Sequence, residues 1–157
     1  MINEFKKFSE VNPKYDLLIF GDGEEKNKLK NIIKKLELEN KVHLMGFTED
    51  IYFYMRNSCA FILSSLWEDP GFVIIEAAMC NTLVISSNCK NGPEEFLMNG
   101  EAGFLYEKNE KNALKKCIIA SLENTATLDK MKILAKKNCL KYTFFRHHKM
   151  FTKILTQ

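Results

Sequence analysis

Short apolar runs alternate with longer amphipathic stretches along almost the whole chain. The apolar runs have the length and the β-branched or aromatic content of buried strands. They are residues 15–20, 41–47, 59–63, 82–87 and 104–106. The amphipathic stretches repeat apolar positions at the helical period, and they are residues 2–10, 24–38, 109–122, 128–142 and 145–155. Strands that alternate with helices predict an α/β, Rossmann-like domain, with a parallel sheet of about five strands and helices on both faces.

Residues 64–95 carry the most distinctive pattern: a strand end, a tight turn, a short helix, a second strand and another turn. Asp69 is suited to cap that helix, and Pro70 is suited to its first turn. Asn81 lies where the helix must stop, and asparagine tolerates the left-handed conformation used at such stops. The sequence therefore predicts a helix that starts directly after Pro70, next to the end of a strand.

The predicted helix start has the chemistry of a nucleotide-sugar site. The amides of Gly71, Phe72 and Val73 are unpaired donors there, and the positive end of the helix dipole favours a phosphate. Glu68 precedes the helix and Glu76 lies within it, so two carboxylates flank the anion site and can accept hydrogen bonds from hydroxyl groups. The spacing of the two glutamates alone is more typical of a solvated pair.

The whole string resembles the signature of family 4 of the retaining glycosyltransferases. The matching features are Glu68 and Glu76, the Pro-Gly turn, the Glu-Ala-Ala helix, the following strand and the Gly-Pro-Glu-Glu run at residues 92–95. The resemblance implies the C-terminal, donor-binding half of a GT-B fold, which has two Rossmann-like domains. It implies that Glu68 is catalytic and contacts the sugar hydroxyls, that Glu76 binds the ribose, and that the diphosphate rests against the amides of Gly71, Phe72 and Val73.

The same resemblance assigns four further positions to the donor site, and the strand order adds a fifth. Gly21 and Gly23 would line the donor cleft, although a tight strand-to-helix turn explains this pair equally well. Phe47 and Thr48 would contact the base, and the alternative there is a strand end followed by a helix N-cap. Ser65 follows the predicted strand 59–63, which delivers it to the site.

A typical member of this family is more than twice as long as the region that the resemblance covers. We predict a single nucleotide-sugar-binding domain over residues 1–157, N-terminally truncated, with residues 143–157 as a C-terminal helix. The acceptor domain and the first strand of the donor domain, which carries a diphosphate-clasping arginine and lysine in the family, are not in this sequence. In the family's strand order the lost strand lies between residues 17–20 and 61–64. Those two strands are therefore expected either to expose unpaired edges or to close on each other.

The predicted C-terminal helix is rich in apolar side chains: Phe144, Phe145, Met150, Phe151, Ile154 and Leu155. In the family this helix crosses onto the N-terminal domain, so part of its surface is expected to be exposed here. Packing against its own domain is one alternative. Membrane-surface binding through the interspersed lysines and arginine is another.

Composition narrows the classes of partner and site. The net charge of +3 comes without a basic stripe, so nucleic acid is not an expected partner. The five scattered cysteines lack a Cys-x-x-Cys pair, which indicates reduced core residues, and His43 is interpreted as a strand residue. We therefore expect no metal site. The sequence opens without a secretory signal and has no long apolar run, so a cytoplasmic location is expected, with the inner face of the membrane left open.

The predicted activity is transfer of a hexose-type sugar, with retention, from a nucleotide-sugar to a glycan or lipid-linked acceptor. A UDP-sugar is the commonest donor in the family, and no cofactor is implied. Expected partners are the nucleotide-sugar and a separate acceptor-binding chain or domain. The alternatives are a non-catalytic nucleotide-sugar-binding or interaction module and a Rossmann-like domain with an unrelated ligand. Without the clasping arginine and lysine, the isolated 157 residues are expected to bind nucleotide weakly and transfer sugar poorly.

Overall fold

The structure is a computed structural model that describes residues 1–69, 71–123 and 125–156. Its strands are β1 (Leu17–Phe20), β2 (Val42–Gly46), β3 (Ala60–Leu63), β4 (Leu83–Ser87) and β5 (Phe104–Tyr106). Each of them lies within one of the predicted apolar runs. The fold class predicted from the sequence, an α/β domain with parallel strands and flanking helices, is therefore confirmed.

The helices follow the strands in the predicted alternation. They are α1 (Ile2–Ser9), α2 (Lys26–Lys35), α3 (Ile51–Asn57), α4 (Phe72–Met79), α5 (Pro93–Phe96), α6 (Ala113–Ala120), α7 (Thr125–Asn138) and α8 (Phe144–Leu155). The predicted helix over residues 24–38 is shorter in the structure, and at its C-terminal end the positive φ of 56° at Glu37, the residue after the C-cap Leu36, stops it. The predicted helix over residues 128–142 gives way to a 3-10 turn at Cys139–Tyr142.

All strand pairs are parallel, but in the described residues they form two sheets. One sheet is β1–β2, and the other has the order β3–β4–β5. Strand β1 therefore does not pair with β3. Of the two arrangements expected for these strands, the structure has the open one, with an unpaired edge on each.

Two apolar clusters cover the two faces of the β3–β4–β5 sheet, and the first of them also contains residues of β1 and β2. Neighbouring residues of β4 separate them, because Ile85 packs into one cluster and Val84 into the other. The first cluster contains α1, α2 and α6 residues such as Phe5, Phe8 and Ile118. The second contains α3, α4, α5 and α7 residues, among them Met55, Ile74, Phe96 and Ala135. Helices thus lie on both faces, as predicted.

Helix α8 contributes no buried residue to either cluster. Phe144 is 74% exposed and Phe145 is 83% exposed, and the apolar residues of the last two turns are also exposed. The expectation of an exposed apolar surface is confirmed, and the alternative that these side chains pack on their own domain is wrong. No helix in the described part of the chain has the length and apolarity needed to span a bilayer.

All five cysteines are free thiols. Cys89 and Cys139 are buried, in agreement with the prediction of reduced core cysteines. Cys59 is exposed, so the prediction is wrong for that residue. It lies directly before β3.

Gly103 precedes β5 at a point where the backbone has no room for a side chain. A Cβ atom there would lie 2.7 Å from the backbone oxygen of Val84 and 2.9 Å from Cδ2 of Leu97. We expect Gly103→Ala to lower the free energy of unfolding by about 1–3 kcal/mol, because the strand must shift to relieve the overlap. Urea unfolding measures the change. Gly23→Ala is the matched control, since a Cβ at Gly23 meets no atom within 4 Å; an equal loss in both variants would contradict the prediction.

Ionisation of Tyr106 is expected to destabilise the folded protein at alkaline pH. Burial raises the pKa of its hydroxyl to about 12. In the unfolded chain a tyrosine ionises near its ordinary pKa of about 10, so between these values the unfolded state binds fewer protons than the folded state. The free energy of unfolding is therefore expected to fall as the pH rises from about 10 towards about 12. Urea unfolding at several alkaline pH values should show a smaller fall in Tyr106→Phe, and identical falls would refute this assignment.

Candidate functional site

The start of α4 is built around Gly71. This residue is buried and has a left-handed backbone with φ 75° and ψ 43°, a conformation that favours glycine. The first intrahelical contact is made by the amide of Ile74, which donates to the carbonyl of Gly71 at 3.1 Å. Among the described residues, no carbonyl accepts a hydrogen bond from the amides of Phe72 or Val73. These two donors are therefore available to an anion at the helix start.

The prediction that Asp69 caps α4 is wrong. The N-cap position belongs to Gly71, no side chain caps the helix, and Asp69 is exposed. The left-handed turn at Gly71 carries the chain into the helix and takes the position that a capping side chain would need. Pro70, predicted for the first turn, lies outside the described residues.

The prediction for the other end of α4 is confirmed. Asn81 has a positive φ of 62°, and the amide of Thr82 returns to the carbonyl of Ala77 at 3.1 Å. A short helix with a sharp stop of this kind lets the chain enter β4 at once.

Glu68 lies against the turn at Gly71. A Cβ atom built on Gly71 would be 3.4 Å from Cβ of Glu68 and 3.6 Å from its Oε2. The backbone amide of Glu68 donates to the carbonyl of Lys90 at 3.4 Å, which ties the loop before α4 to the loop after β4. No donor among the described residues occupies the half-buried carboxylate of Glu68, so it can accept hydrogen bonds from a ligand.

Glu76 is also half-buried and likewise has no hydrogen-bond or ion-pair partner in the described part of the chain. It lies between Ile75 and Ala77, which are buried in the second cluster. Its carboxylate is therefore on the side of α4 that faces away from this cluster and is free to bind a ligand.

A cavity of about 880 Å³ lies next to the start of α4, between β1 and β3. We call it the inter-sheet cavity. Both strands line it along their whole length, and helices α1 and α6 close one side while α3 and Val73 of α4 close the other. The predicted site residues in its lining are Gly21, Phe47, Thr48, Ser65 and Val73. Glu68, Gly71, Phe72 and Glu76 lie outside the lining, and Gly23 lines a neighbouring hollow of about 240 Å³ that shares Gly21.

Two loops at the carboxyl ends of β1 and β2 meet beside the cavity. The amide of Gly21 donates to the carbonyl of Gly46 at 2.8 Å and holds these loops together. In the turn after Gly21, the carboxylate of Asp22 accepts hydrogen bonds from the ammonium of Lys26 and from the Gly23 amide. Both hydrogen bonds lower the pKa of Asp22, and the one from Lys26 has the larger effect. The structure therefore contains the tight turn that was the alternative for the glycine pair.

The structure is compatible with both interpretations of Phe47 and Thr48, contact with the nucleotide base and a strand end followed by a helix N-cap. The ring of Phe47 is 81% exposed, which leaves an aromatic surface free for stacking. The hydroxyl of Thr48 accepts a hydrogen bond from the amide of Asp50 at 3.1 Å, as expected for a residue before a helix. Neither the exposed ring of Phe47 nor the hydrogen bond of Thr48 prevents a planar base from resting on this loop.

The ends of β3 and β4 contain site neighbours that the sequence reasoning did not single out. The buried hydroxyl of Ser87 donates to the carbonyl of Ser65 at 2.7 Å. The ammonium of Lys108 donates to the carbonyl of Leu66 and brings a positive charge to the loop before Glu68. Both residues come at or just after the carboxyl end of a parallel strand, and this position was the available signal.

No three His, Cys, Asp or Glu side chains among the described residues are grouped so as to hold a metal ion. His43 lies on β2, with its Nε2 3.5 Å from a carboxylate oxygen of Asp16. His43 is therefore a strand residue with an acidic neighbour, in agreement with its interpretation as a strand residue.

Known proteins resemble this chain in sequence and in fold. An uncharacterized glycosyltransferase of Methanocaldococcus jannaschii is 44% identical over 97 residues, which are 62% of this chain and 24% of that protein. The N-acetylgalactosamine-N,N'-diacetylbacillosaminyl-diphospho-undecaprenol 4-alpha-N-acetylgalactosaminyltransferase of Campylobacter jejuni is 31% identical over 119 residues, 76% of this chain and 33% of that one. The structure of Anabaena Alr3699/HepE in complex with UDP-glucose superposes with a TM-score of 0.84 at 24% identity, covering 99% of this chain and 44% of that chain.

The chain thus spans less than half the length of each of these proteins. The likeness to the Anabaena structure shows the fold, the Rossmann-like domain of a GT-B architecture. The sequence pattern of the Glycosyl transferases group 1 family matches residues 1–138, which is most of the chain. This chain therefore belongs to the Glycosyl transferases group 1 family.

Proposed function

We propose that this chain is the donor-binding part of a family 4 retaining glycosyltransferase that transfers a hexose-type sugar from a nucleotide-sugar to a glycan or lipid-linked acceptor. The observation that carries the proposal is the start of α4 in a chain of this family. There a left-handed Gly71, two free amides and the unoccupied carboxylate of Glu68 come together. This combination offers hydrogen-bond donors to a diphosphate and acceptors to sugar hydroxyls.

In this proposal each group of the site has one role. The amides of Phe72 and Val73 bind the diphosphate and stabilise the negative charge that grows on it as the sugar departs. The carboxylate of Glu68 orients the donor sugar by accepting hydrogen bonds from the sugar hydroxyls, and that of Glu76 accepts hydrogen bonds from the ribose hydroxyls. The base rests on the loop of Phe47 and Thr48 at the mouth of the inter-sheet cavity.

A UDP-sugar is the donor that the proposal favours. Support comes from the Anabaena protein, which contains a domain of this fold and whose structure is a complex with UDP-glucose. The cavity beside α4 has room for a nucleoside, at about 880 Å³. No cofactor is part of the proposed mechanism.

The open gap between β1 and β3 favours a second candidate, a non-catalytic nucleotide-sugar-binding module. An active donor site needs its phosphate groups held firmly, and here one wall of the site is an unpaired strand edge. Such a module would keep nucleotide binding through α4 and lack transfer.

Calorimetric titration of the chain with UDP, UDP-glucose and ADP tests the proposal. We expect weak, saturable binding of both uridine compounds, with inorganic phosphate as the control for simple charge attraction. Absence of saturable uridine nucleotide binding would overturn it. A parallel assay of UDP-glucose turnover separates the two candidates, since the non-catalytic module binds nucleotide without transferring sugar, even when an acceptor-binding partner is present. Robust sugar transfer by the purified chain alone would refute our expectation of poor activity.

A further inference from the structure

The segment that carries Glu68, residues 64–69, is neither helix nor strand. The ladder between β3 and β4 ends at Leu63, so strand pairing does not extend into this segment. Its apolar side chains, Leu66 and Trp67, are 75% and 69% exposed and therefore contribute little packing. Contacts other than a strand ladder or the apolar core must hold this segment in place.

Side chains from the ends of β4 and β5 supply hydrogen bonds to the segment. The hydroxyl of Ser87, the last residue of β4, donates to the carbonyl of Ser65 at 2.7 Å. The ammonium of Lys108, which lies shortly after β5, donates to the carbonyl of Leu66. These carbonyls are consecutive in the chain and lie just before Glu68, so the two hydrogen bonds fix the path by which the backbone reaches that residue.

The hydrogen bond from Ser87 is the firmer of the two. Ser87 is 0% exposed, so moving the Ser65 carbonyl away would leave a buried hydroxyl without an acceptor. The strand end that carries Ser87 is itself held, because the amide of Asn88 donates to the carbonyl of Tyr106 at 2.8 Å. Lys108 is exposed and water competes for its ammonium, so its hydrogen bond restrains the segment less.

Glu68 itself has few contacts that could fix its position. Its amide donates to the carbonyl of Lys90 at 3.4 Å, which is a long and therefore weak hydrogen bond. In the described part of the chain, no donor or cation pairs with its carboxylate. The position of this carboxylate beside the turn at Gly71 therefore depends on the backbone that leads to it.

We propose that Ser87 and Lys108 are positioning residues for Glu68 in the donor site. Their hydrogen bonds hold residues 64–69 so that the carboxylate of Glu68 stays beside the turn at Gly71, where it meets the hydroxyls of the donor sugar. The role of Glu68 in this inference rests on the proposed function. Neither Ser87 nor Lys108 binds the nucleotide, so their loss is expected to weaken the sugar contact and to leave the nucleotide contacts unchanged.

Ser87→Ala removes the firmer hydrogen bond without adding bulk. We expect its affinity for UDP-glucose to be about 3- to 10-fold lower and its affinity for UDP to change by less than about twofold, because in the proposed site Glu68 contacts the sugar alone. Calorimetric titration with each ligand measures both values. Ser86→Ala is the matched control, since Ser86 is equally buried but its hydroxyl donates to the Ser87 carbonyl at 3.0 Å, within β4. Equal losses for the two ligands in Ser87→Ala, or equal losses in the two variants, overturn the proposal.

The single tryptophan of the chain reports on the segment without any ligand. Trp67 lies next to Glu68, so its fluorescence anisotropy measures how freely this part of the chain moves on the nanosecond timescale. We expect lower anisotropy in Ser87→Ala than in Ser86→Ala, because only the first variant releases the segment. The same anisotropy in both variants would contradict the proposal.

Lys108→Met tests the second hydrogen bond. It should lower the anisotropy less than Ser87→Ala does, and Lys108→Arg, which keeps a charged donor, should restore the value of the unchanged chain. Lys111→Met, at an exposed lysine of the same loop, is the control and should have no effect. Unchanged anisotropy in both Ser87→Ala and Lys108→Met overturns the proposal whether or not nucleotide binds. If the unchanged chain binds no uridine nucleotide, the proposed function fails, and the anisotropy alone then decides whether these two residues position the segment.

Discussion

Glu76→Gln is expected to lower the affinity for UDP about 10- to 100-fold, because a hydrogen bond to a charged group contributes about 1.5–3 kcal/mol. In the proposed function the Glu76 carboxylate accepts the two ribose hydroxyls. The variant keeps the size of the side chain and removes its charge. No described residue pairs with this carboxylate, so the change leaves no orphaned partner in the protein. Calorimetric titration of UDP into the purified variant measures the loss.

Glu39→Gln is the matched control for this experiment. Glu39 is exposed and precedes β2, at the amino end of the strands, whereas α4 begins next to their carboxyl ends. Its affinity for UDP should equal that of the unchanged chain. Unaltered UDP binding in Glu76→Gln would remove the ribose contact from the proposal and favour a domain with an unrelated ligand.

The largest effect on stability is expected for Phe96→Ala. Phe96 is 1% exposed, belongs to the second apolar cluster and has its ring 5.6 Å from that of Tyr142. Removing the ring leaves a void that α5 and α7 fill only in part, so the free energy of unfolding should fall by about 3–5 kcal/mol. Urea unfolding followed by circular dichroism gives the value.

Phe144→Ala makes the same chemical change on a surface. Phe144 is 74% exposed on α8, and its removal should change the free energy of unfolding by about 0.5 kcal/mol or less. A comparable loss in both variants would mean that α8 packs against the domain. The difference between them therefore tests the exposed position of α8 directly.

The predictions from the sequence agree best with the structure where neighbouring residues alone determine the local conformation. Apolar runs located the five strands of the described residues, since strands covered on both faces are predominantly apolar. Asn81 located the end of α4 because few residues adopt a positive φ at low cost. Gly71 was expected in the turn before α4, and it has the left-handed backbone that glycine adopts at low cost.

Predictions that depended on one side chain's exact position did less well. Asp69 has the right chemistry for a cap but stands two residues before the actual N-cap. Cys59 lies in an apolar run, yet it is exposed at the position directly before β3. In each case the residue type was suited to the role, and the path of the neighbouring backbone decided against it.

By itself the sequence determined the α/β alternation, the turn and short helix of α4, and a resemblance to glycosyltransferases, because each follows from patterns within a few tens of residues. Only the tertiary structure decided which predicted residues share the inter-sheet cavity, and that Glu68 and Glu76 stand beside it and outside its lining. Tertiary structure also decided that β1 and β3 stay apart. Pairing between distant strands is set by the helices packed on both faces, and no local pattern encodes that spacing.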